Sequence, residues 1–405
     1  MDATFQERLE NCATRVGGKR ELALRADVSE AQLFRYLRGE SDPTLSKLIA
    51  LSQAANVSLA WLVAGDGAPG DNHNPDDLEL LAALVRVLEE ALLEYPGHFS
   101  PAQKGYVVAL VQLAAQLERR EGFESQHLNK AYMLETLHYL QALKDTEQLK
   151  LYLQGMYLLA HGKISGSAGT LFINQVSKAN LALYDSKVGE LYFDRASYEL
   201  SQHQLQLMQK LTDAITKHLG AYANLKVLDA GCGNGRHLVY LRKFFKQASG
   251  LAGLEGSQQG VQQCRKAEAA NLLPKGTVQQ GDIRQLPYAD QAFDVVNCMS
   301  VLAHLPYIKN SGLGAAQAIS EMRRVLKPRG LLHVRTRIGT NSDFLPFEQI
   351  YTAEELRTLL TDNGFEVVEL QQDDSGLQDR KLLGEVIPRK YRQMIDVWAV
   401  RKANT

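Results

Sequence analysis

The run with the clearest chemical potential is Lys226-Val227-Leu228-Asp229-Ala230-Gly231-Cys232-Gly233-Asn234-Gly235-Arg236. An apolar stretch passes an acid and three glycines, then leads into helical text. Glycines let backbone N–H groups approach an anionic ligand where a helix begins. Spacing then separates the candidate ligands. A dinucleotide fingerprint needs GxGxxG, but Arg236 stands where its last glycine belongs. The third glycine is Gly235 instead, giving GxGxG with Asp229 just before it. Metal chemistry has no comparable signal. Cys12, Cys232, Cys264 and Cys298 are too scattered for a zinc knuckle, and sparse thiols fit a reducing compartment.

Such a loop needs strands to hold it. From about Lys226, β-rich runs alternate with helical stretches: Lys226–Ala230, Gly250–Leu254, Thr277–Gln280, Phe293–Cys298 and Leu331–Arg335. That alternation predicts a doubly wound α/β domain with a mostly parallel sheet. A helix within Ser197–Leu219 should pack on its face. Upstream, everything reads as helix. Leu81, Leu84, Leu88, Leu92 and Tyr95 recur at helical spacing until Pro96-Gly97. Ser100, Pro101 and Gln103 open the next helix with a capping box, and it runs to Arg120. Two more follow near His127–Leu143 and Thr146–His161. The Gly162–Gly169 stretch reads as a loop. Residues 66–77, almost all Gly, Pro, Asn and Asp, read as a linker. The division expected is 1–65, linker 66–77, helical middle 78–165 and α/β domain 166–405, with its core over 194–402.

The GxGxG loop resembles the S-adenosylmethionine loop of class I methyltransferases. Further runs match that family: Gly253-Leu254-Glu255-Gly256-Ser257, Gly281-Asp282-Ile283, Phe293-Asp294-Val295-Val296 and Arg324-Val325-Leu326-Lys327-Pro328-Arg329-Gly330. The resemblance implies S-adenosyl-L-methionine as cofactor, held by Asp229, Gly231, Gly233, Gly235, Glu255, Asp282 and Ile283. Glu255 would accept the ribose hydroxyls and Asp282 the adenine amino group. Asp229 would help orient the methionine end through its ammonium. After the fourth strand stands Asn297-Cys298-Met299-Ser300, without the Pro-Pro-aromatic motif of DNA amino-methyltransferases. The Pro-Cys nucleophile of cytosine-5 enzymes is also missing, so base flipping is disfavoured. Ser300-Val301-Leu302-Ala303-His304-Leu305 looks like small-molecule methyltransferases. His304 is the catalytic candidate, as base or acceptor-positioning group. Tyr307, His333, Arg335 and Tyr351 could line the acceptor pocket with it, though they read first as locally bonded helix or strand residues.

The first 65 residues have a second grammar. Leu22 and Ala23 face inward from one helix, and a turn follows at Asp27-Val28. Ser29 caps a helix carrying Leu33 and Leu37, and Gly39 ends it. Pro43 starts a further helix with Leu45, Leu48 and Leu51, and Val57, Leu59, Trp61 and Leu62 close the core. This resembles the helix-turn-helix domain of the phage repressor and Cro (XRE) family. The resemblance places Ser29 at the head of the recognition helix. Glu30, Ala31, Gln32 and Arg35 would face bases, and Lys19 and Arg38 phosphates. Arg can pair bidentately with guanine and Gln with adenine. The first 67 residues hold eight basic and nine acidic side chains, so one module should grip DNA weakly.

The 405-residue chain carries 45 Lys plus Arg against 46 Asp plus Glu. That balance excludes a chain-wide electrostatic hold on nucleic acid. No signal peptide or long apolar run is visible, so a soluble cytoplasmic protein without membrane partners is expected. The fold expected is multidomain: an all-α helix-turn-helix domain, an α-helical middle region and an α/β Rossmann-like methyltransferase domain. Two functions fit. One is a transcriptional regulator on a double-stranded DNA operator, whose methyltransferase domain acts on a small molecule or senses the cofactor or a ligand. The other is an active methyltransferase of a small molecule or protein, tethered or autoregulated through DNA. A homodimer through Leu78–His161 is expected, because such domains read two half-sites.

Overall fold

Thr4 opens the first helix by accepting from the Glu7 backbone N–H, while the Glu7 carboxylate accepts from Thr4 N at 2.6 Å. The computed structural model describes residues 4–41, 43–64, 75–120, 125, 128–143, 145–160, 162–186, 189, 193, 198–220, 225–244, 250–340, 343–345, 348–373, 380–382, 385–387 and 393–403. The chain divides into two units, Met1–Ile164 and Ser165–Thr405.

The first unit is helical: α1 (Phe5–Arg15), α2 (Lys19–Arg25), α3 (Glu30–Leu37), α4 (Leu45–Ala54), α5 (Leu59–Ala64), α6 (Pro75–Glu94), α7 (Pro101–Arg120), α8 (Lys130–Leu140) and α9 (Thr146–Ala160). Leu9, Leu22, Leu33, Leu51 and Leu62 share one buried core. Each contributes about 1.5–3 kcal/mol of burial. Leu37 is only half-buried, and Tyr36 fills the core position beside it. Asp27 adopts a left-handed φ of 48° and makes the turn between α2 and α3. The buried Arg8 donates to the carbonyls of Leu62 at 2.9 Å and Val63 at 2.7 Å, tying α1 to the end of α5. At Gly105 of α7, a Cβ would lie 2.9 Å from Leu48 and 3.2 Å from Val63. The middle helices therefore pack directly on α4 and α5. The Ser100–Gln103 capping box is formed. Residues 66–74 of the expected linker lie outside the described residues, as do positions 127 and 161, and Pro75 already begins α6.

The second unit opens with α10 (Gly166–Tyr184) and α11 (Gln202–Leu219). The α/β alternation follows: β1 (Lys226–Ala230), α12 (Arg236–Phe244), β2 (Gly250–Glu255), α13 (Gln258–Ala269), β3 (Val278–Gln280), β4 (Phe293–Met299), α14 (Ala315–Val325) and β5 (Leu326–Ile338). Next come β6 (Asp343–Leu345), β7 (Glu348–Ile350), α15 (Ala353–Asp362), β8 (Phe365–Asp373), β9 (Arg380–Leu382), β10 (Glu385–Ile387) and β11 (Gln393–Arg401). Seven strands form one sheet in the order β3-β2-β1-β4-β5-β11-β8. β1 to β5 pair in parallel, while β11 runs antiparallel between β5 and β8. After β3 the chain returns to lay β4 on the other side of β1, so the loops after β1 and β4 meet at the sheet's C-terminal edge. Ligands bind at such a crevice in open α/β sheets.

The expected loop at Gly162–Gly169 is corrected: α10 begins inside it, at Gly166. Phe172, Val176, Ala179 and Leu183 are buried along one face at three- and four-residue spacing. That periodicity outweighs the small residues of the first turn. Met208, Leu211 and Ile215 of α11 pack on Val227, Val295, Leu331 and Trp398 of the sheet.

Candidate functional site

Gly231, Gly233 and Gly235 all adopt left-handed φ, at 83°, 58° and 80°. At Gly231 a Cβ would stand 2.3 Å from Val301 Cγ2, so only glycine fits beneath the turn after β4. Glu255, at the end of β2, accepts from Gly233 N and Ser257 N, both at 2.8 Å. Burial raises its carboxyl above the ordinary range, while the backbone donors lower it. Gly260 makes room for this side chain, because a Cβ there would lie 2.8 Å from Glu255 Cγ.

These residues line a cavity of about 620 Å³. Gly231, Gly233, Glu255, Asp282 and Ile283 of the expected set stand in its wall. Asp229 does not: it is buried below the loop, and Gly235 is also outside the lining. Asp229 Oδ1 accepts from Asn297 Nδ2 at 2.8 Å. Its Oδ2 has no hydrogen-bond partner among the described residues, with His237 Nδ1 4.0 Å away. Burial pushes the Asp229 carboxyl up to about 7, against the lowering effect of Asn297. Burial also drives His237 down to about 3, so it is neutral. Asp282 is gripped by Arg284, whose Nη2 lies 2.6 Å from its Oδ2, and the same guanidinium reaches Asn174 Oδ1 at 3.1 Å.

The other wall comes from α10, which sequence reasoning had not placed. Ser177, Asn180, Leu181 and Tyr184 line the cavity with Phe193, Met299, Ser300, Val301, His304 and Leu305. Asn180 Nδ2 donates to the His304 carbonyl at 2.9 Å, and Tyr184 Oη lies 2.9 Å from His304 Nε2. Asp185 accepts from Ser257 Oγ at 2.7 Å and Gln259 N at 3.0 Å, fastening α10 to the start of α13. Ser300 holds a left-handed φ of 58°, an uncommon state for a non-glycine residue. Tyr307, His333, Arg335 and Tyr351 are absent from the lining. The last three are buried in the sheet and its covering layer, bonded not locally but to residues far along the chain.

In the first unit, Ser29 Oγ caps α3 by accepting from Gln32 N at 3.2 Å. Glu30, Ala31, Arg35 and Arg38 are exposed, and Gln32 and Lys19 are half-buried. Several cations here are engaged by acids, Arg25 by Glu21 and Lys47 by Asp27 among them. Lys19 Nζ lies 2.8 Å from Glu10, Arg20 Nε 3.5 Å from Glu30, and Arg38 grips Glu40 with two bonds. Lys19 also stands over the Phe34 ring, 5.6 Å from its centroid. Arg35 makes no ion pair within 4.0 Å among the described residues.

The family described as a methyltransferase domain matches residues 222–383, and the helix-turn-helix family matches residues 19–62. The chain joins a helix-turn-helix domain to a class I methyltransferase domain. Over 114 residues it is 36% identical to the uncharacterised 37.1 kDa protein in transposon TN4556 of Streptomyces fradiae, covering 28% of this chain and 30% of that protein. It is 33% identical over 139 residues to a malonyl-[acyl-carrier protein] O-methyltransferase of Erwinia pyrifoliae, covering 34% and 47%. The chain thus spans less than half the length of these two relatives. It is also similar to the structure of magnesium protoporphyrin IX methyltransferase from Synechocystis, at 19% identity and a TM-score of 0.40, covering 56% of this chain and 97% of that one.

The residues present fit S-adenosylmethionine, the cofactor of this domain. The wall offers left-handed glycines, of which Gly231 has no room for a Cβ, a buried acid at the end of β2 and a second acid after β3. Among the described residues there is no cluster that would hold a metal ion, and no helix is long and apolar enough to cross a membrane.

Proposed function

We propose that the protein transfers a methyl group from S-adenosylmethionine to a small molecule, and that its helix-turn-helix domain binds double-stranded DNA. The observation that carries the first half is the single cavity lined on one side by the glycine loop and Glu255 and on the other by the Tyr184–His304 pair. When bound, the cofactor supplies a methyl on a sulfonium. Gly231 and Gly233 receive its methionine end, Glu255 the ribose hydroxyls, and Asp282 with Ile283 the adenine. The protein then contributes alignment and exclusion of water. His304 takes the acceptor's proton or orients the acceptor, and the Tyr184 hydroxyl holds its ring. Apart from the two cofactor acids, the described lining residues carry no fixed charge. That favours an uncharged acceptor.

Residues 1–65 read DNA in this proposal, 78–165 join two protomers, and 166–405 do the chemistry. Glu30, Ala31, Gln32 and Arg35 face bases, while Ser29 caps the helix that carries them. With Lys19 and Arg38 already paired to acids, one copy binds weakly, and two linked copies gain from effective concentration. A second reading, in which the cavity only senses the cofactor, is favoured by one observation: Asp282 is already neutralised by Arg284. Fluorescence anisotropy on DNA from upstream of the gene, with and without S-adenosylmethionine or S-adenosylhomocysteine, separates them. Methyl transfer with DNA affinity indifferent to both supports the enzyme. A cofactor-dependent shift without turnover supports the sensor.

A further inference from the structure

On the sheet face beneath α11, the strands change character midway. Val227, Val295 and Leu331 pack on the helix. Two residues further along, the same strands carry Asp229, Asn297 and His333, which are register neighbours across β1, β4 and β5. Their side chains form a continuous row. Asn297 Nδ2 donates to Asp229 at 2.8 Å, and His333 Nδ1 lies 2.8 Å from Asn297 Oδ1. His333 Nε2 lies 3.0 Å from Asp396 Oδ1, and Arg335 donates to Asp396 and, at 2.9 Å, to Asp373. Trp398 stacks on the His333 ring, with centroids 5.0 Å apart. The row crosses five neighbouring strands, and all of it except Asp373 is at most 3% exposed. Isolated charges so deep are costly, so each member depends on the next.

Both orientations of the Asn297 amide fit these distances, and each implies its own placement of the protons. With the Asn297 amide donating to Asp229, its oxygen faces His333 and can only accept. His333 Nδ1 therefore carries a proton, and Nε2 needs another for Asp396. With Asp229 as the carboxylate, His333 is then an imidazolium. Turning the amide over reverses the inner half. Asp229 becomes an acid donating to Asn297, which donates to the bare Nδ1 of a neutral His333. Both states hold the same number of protons and leave every bond in the row satisfied.

We propose that Asn297 and His333 are positioning residues that take the proton from Asp229 when a cation occupies the cavity above the glycine loop. The inference rests on the reading that the cavity takes S-adenosylmethionine, whose methionine end carries an ammonium. One proton leaves Asp229 and one arrives at His333 Nδ1, so negative charge moves under the loop without exchange with solvent. The other groups facing Asp229 fit this. The Glu255 carboxylate favours its protonated state, the buried Cys232 and Cys298 thiols are raised and so neutral, and His237 of α12, next to Arg236, is neutral.

Two measurements on the full chain test it. Calorimetry of S-adenosylhomocysteine binding, in buffers of unlike ionisation heat below pH 7, counts protons. Wild type should exchange close to none. His333→Gln should release up to one, and its affinity should fall toward tenfold for each pH unit lowered. Equal counts for the two proteins overturn the proposal. Histidine ¹⁵N shifts of wild type need no variant to fold. The His333 ring should be neutral without ligand and doubly protonated with it, and an unchanged ring overturns the proposal. Binding with an unchanged ring sinks this inference alone, whereas no binding at all removes the cofactor reading and this one with it.

Discussion

Tyr184 Oη lies 2.9 Å from His304 Nε2, with the two rings edge to face at 81°, so a helix that precedes the sheet holds a ring that follows β4. Removing the hydroxyl should loosen His304 without touching the cofactor wall. Tyr184→Phe should lower turnover by about tenfold, and His304→Ala by about 10²-fold or more, within the usual range for acid–base groups. Cofactor affinity should hold in both. Turnover on the true acceptor unchanged in His304→Ala would remove its catalytic role.

Gly231 carries both strain and contact. A methyl there meets Val301 at 2.3 Å on a backbone with φ of 83°. Gly231→Ala should destabilise the second unit by about 1–3 kcal/mol and abolish cofactor binding. Adding Val301→Ala removes the clash but not the backbone strain, so stability should recover only in part. Denaturant melts of the single and double variants check this, and full recovery would show that strain contributes nothing.

Asp229 gives a pH dependence of known sign. Its carboxyl is raised from 3.8 to about 7 by burial. The folded protein then binds more protons than the unfolded chain between those values, and its stability falls as pH rises through that window. Asp229→Asn should flatten this component and leave the variant less sensitive to pH from 4 to 7. Chemical denaturation at several pH values reads the slope. A wild-type curve that rises through the window would contradict the assignment.

The DNA face offers a charge test. Arg35→Ala should cost about 1–3 kcal/mol on a preferred site and relax specificity at one base pair. Glu40→Gln releases Arg38 from its bidentate partner and should tighten binding at low salt, with the gain fading as salt rises. Anisotropy titrations at two salt concentrations decide both. An unaffected Arg35 variant would move the base-reading face elsewhere.

The expected homodimer is checked by light scattering of the full chain. Leu93 of α6 is 88% exposed and belongs to the region expected to join protomers. A monomer at working concentration would remove the two-half-site reading.

The sequence made the parallel strands and the glycine loop legible, because both are written in short contiguous runs. β1 falls over the residues expected, and Glu255 closes β2 beside the loop. The first domain was readable for the same reason, since Ser29 and Gly39 punctuate α3 locally. What stayed hidden depends on distant pairing. Small residues at 162–169 masked α10, although Phe172, Val176, Ala179 and Leu183 kept helical period. The place of β11 between β5 and β8 has no local sign. Nor does the burial of His333 and Arg335, whose partners Asp396 and Asp373 arrive from strands far along the chain. Asp229 was found by its position in the loop, yet only the fold puts it beneath the cavity floor.

Because α10 supplies one wall of the cavity and β11 sits inside the sheet, residues 222–383 are a likeness rather than a transplantable part. A graft cut at those limits would carry the glycine loop but leave behind Asn180, Tyr184 and Asp396. The smallest portable unit starts near Gly166 and ends past Arg401. Swapping cofactor domains between proteins of this build therefore means moving the helix before the sheet along with it.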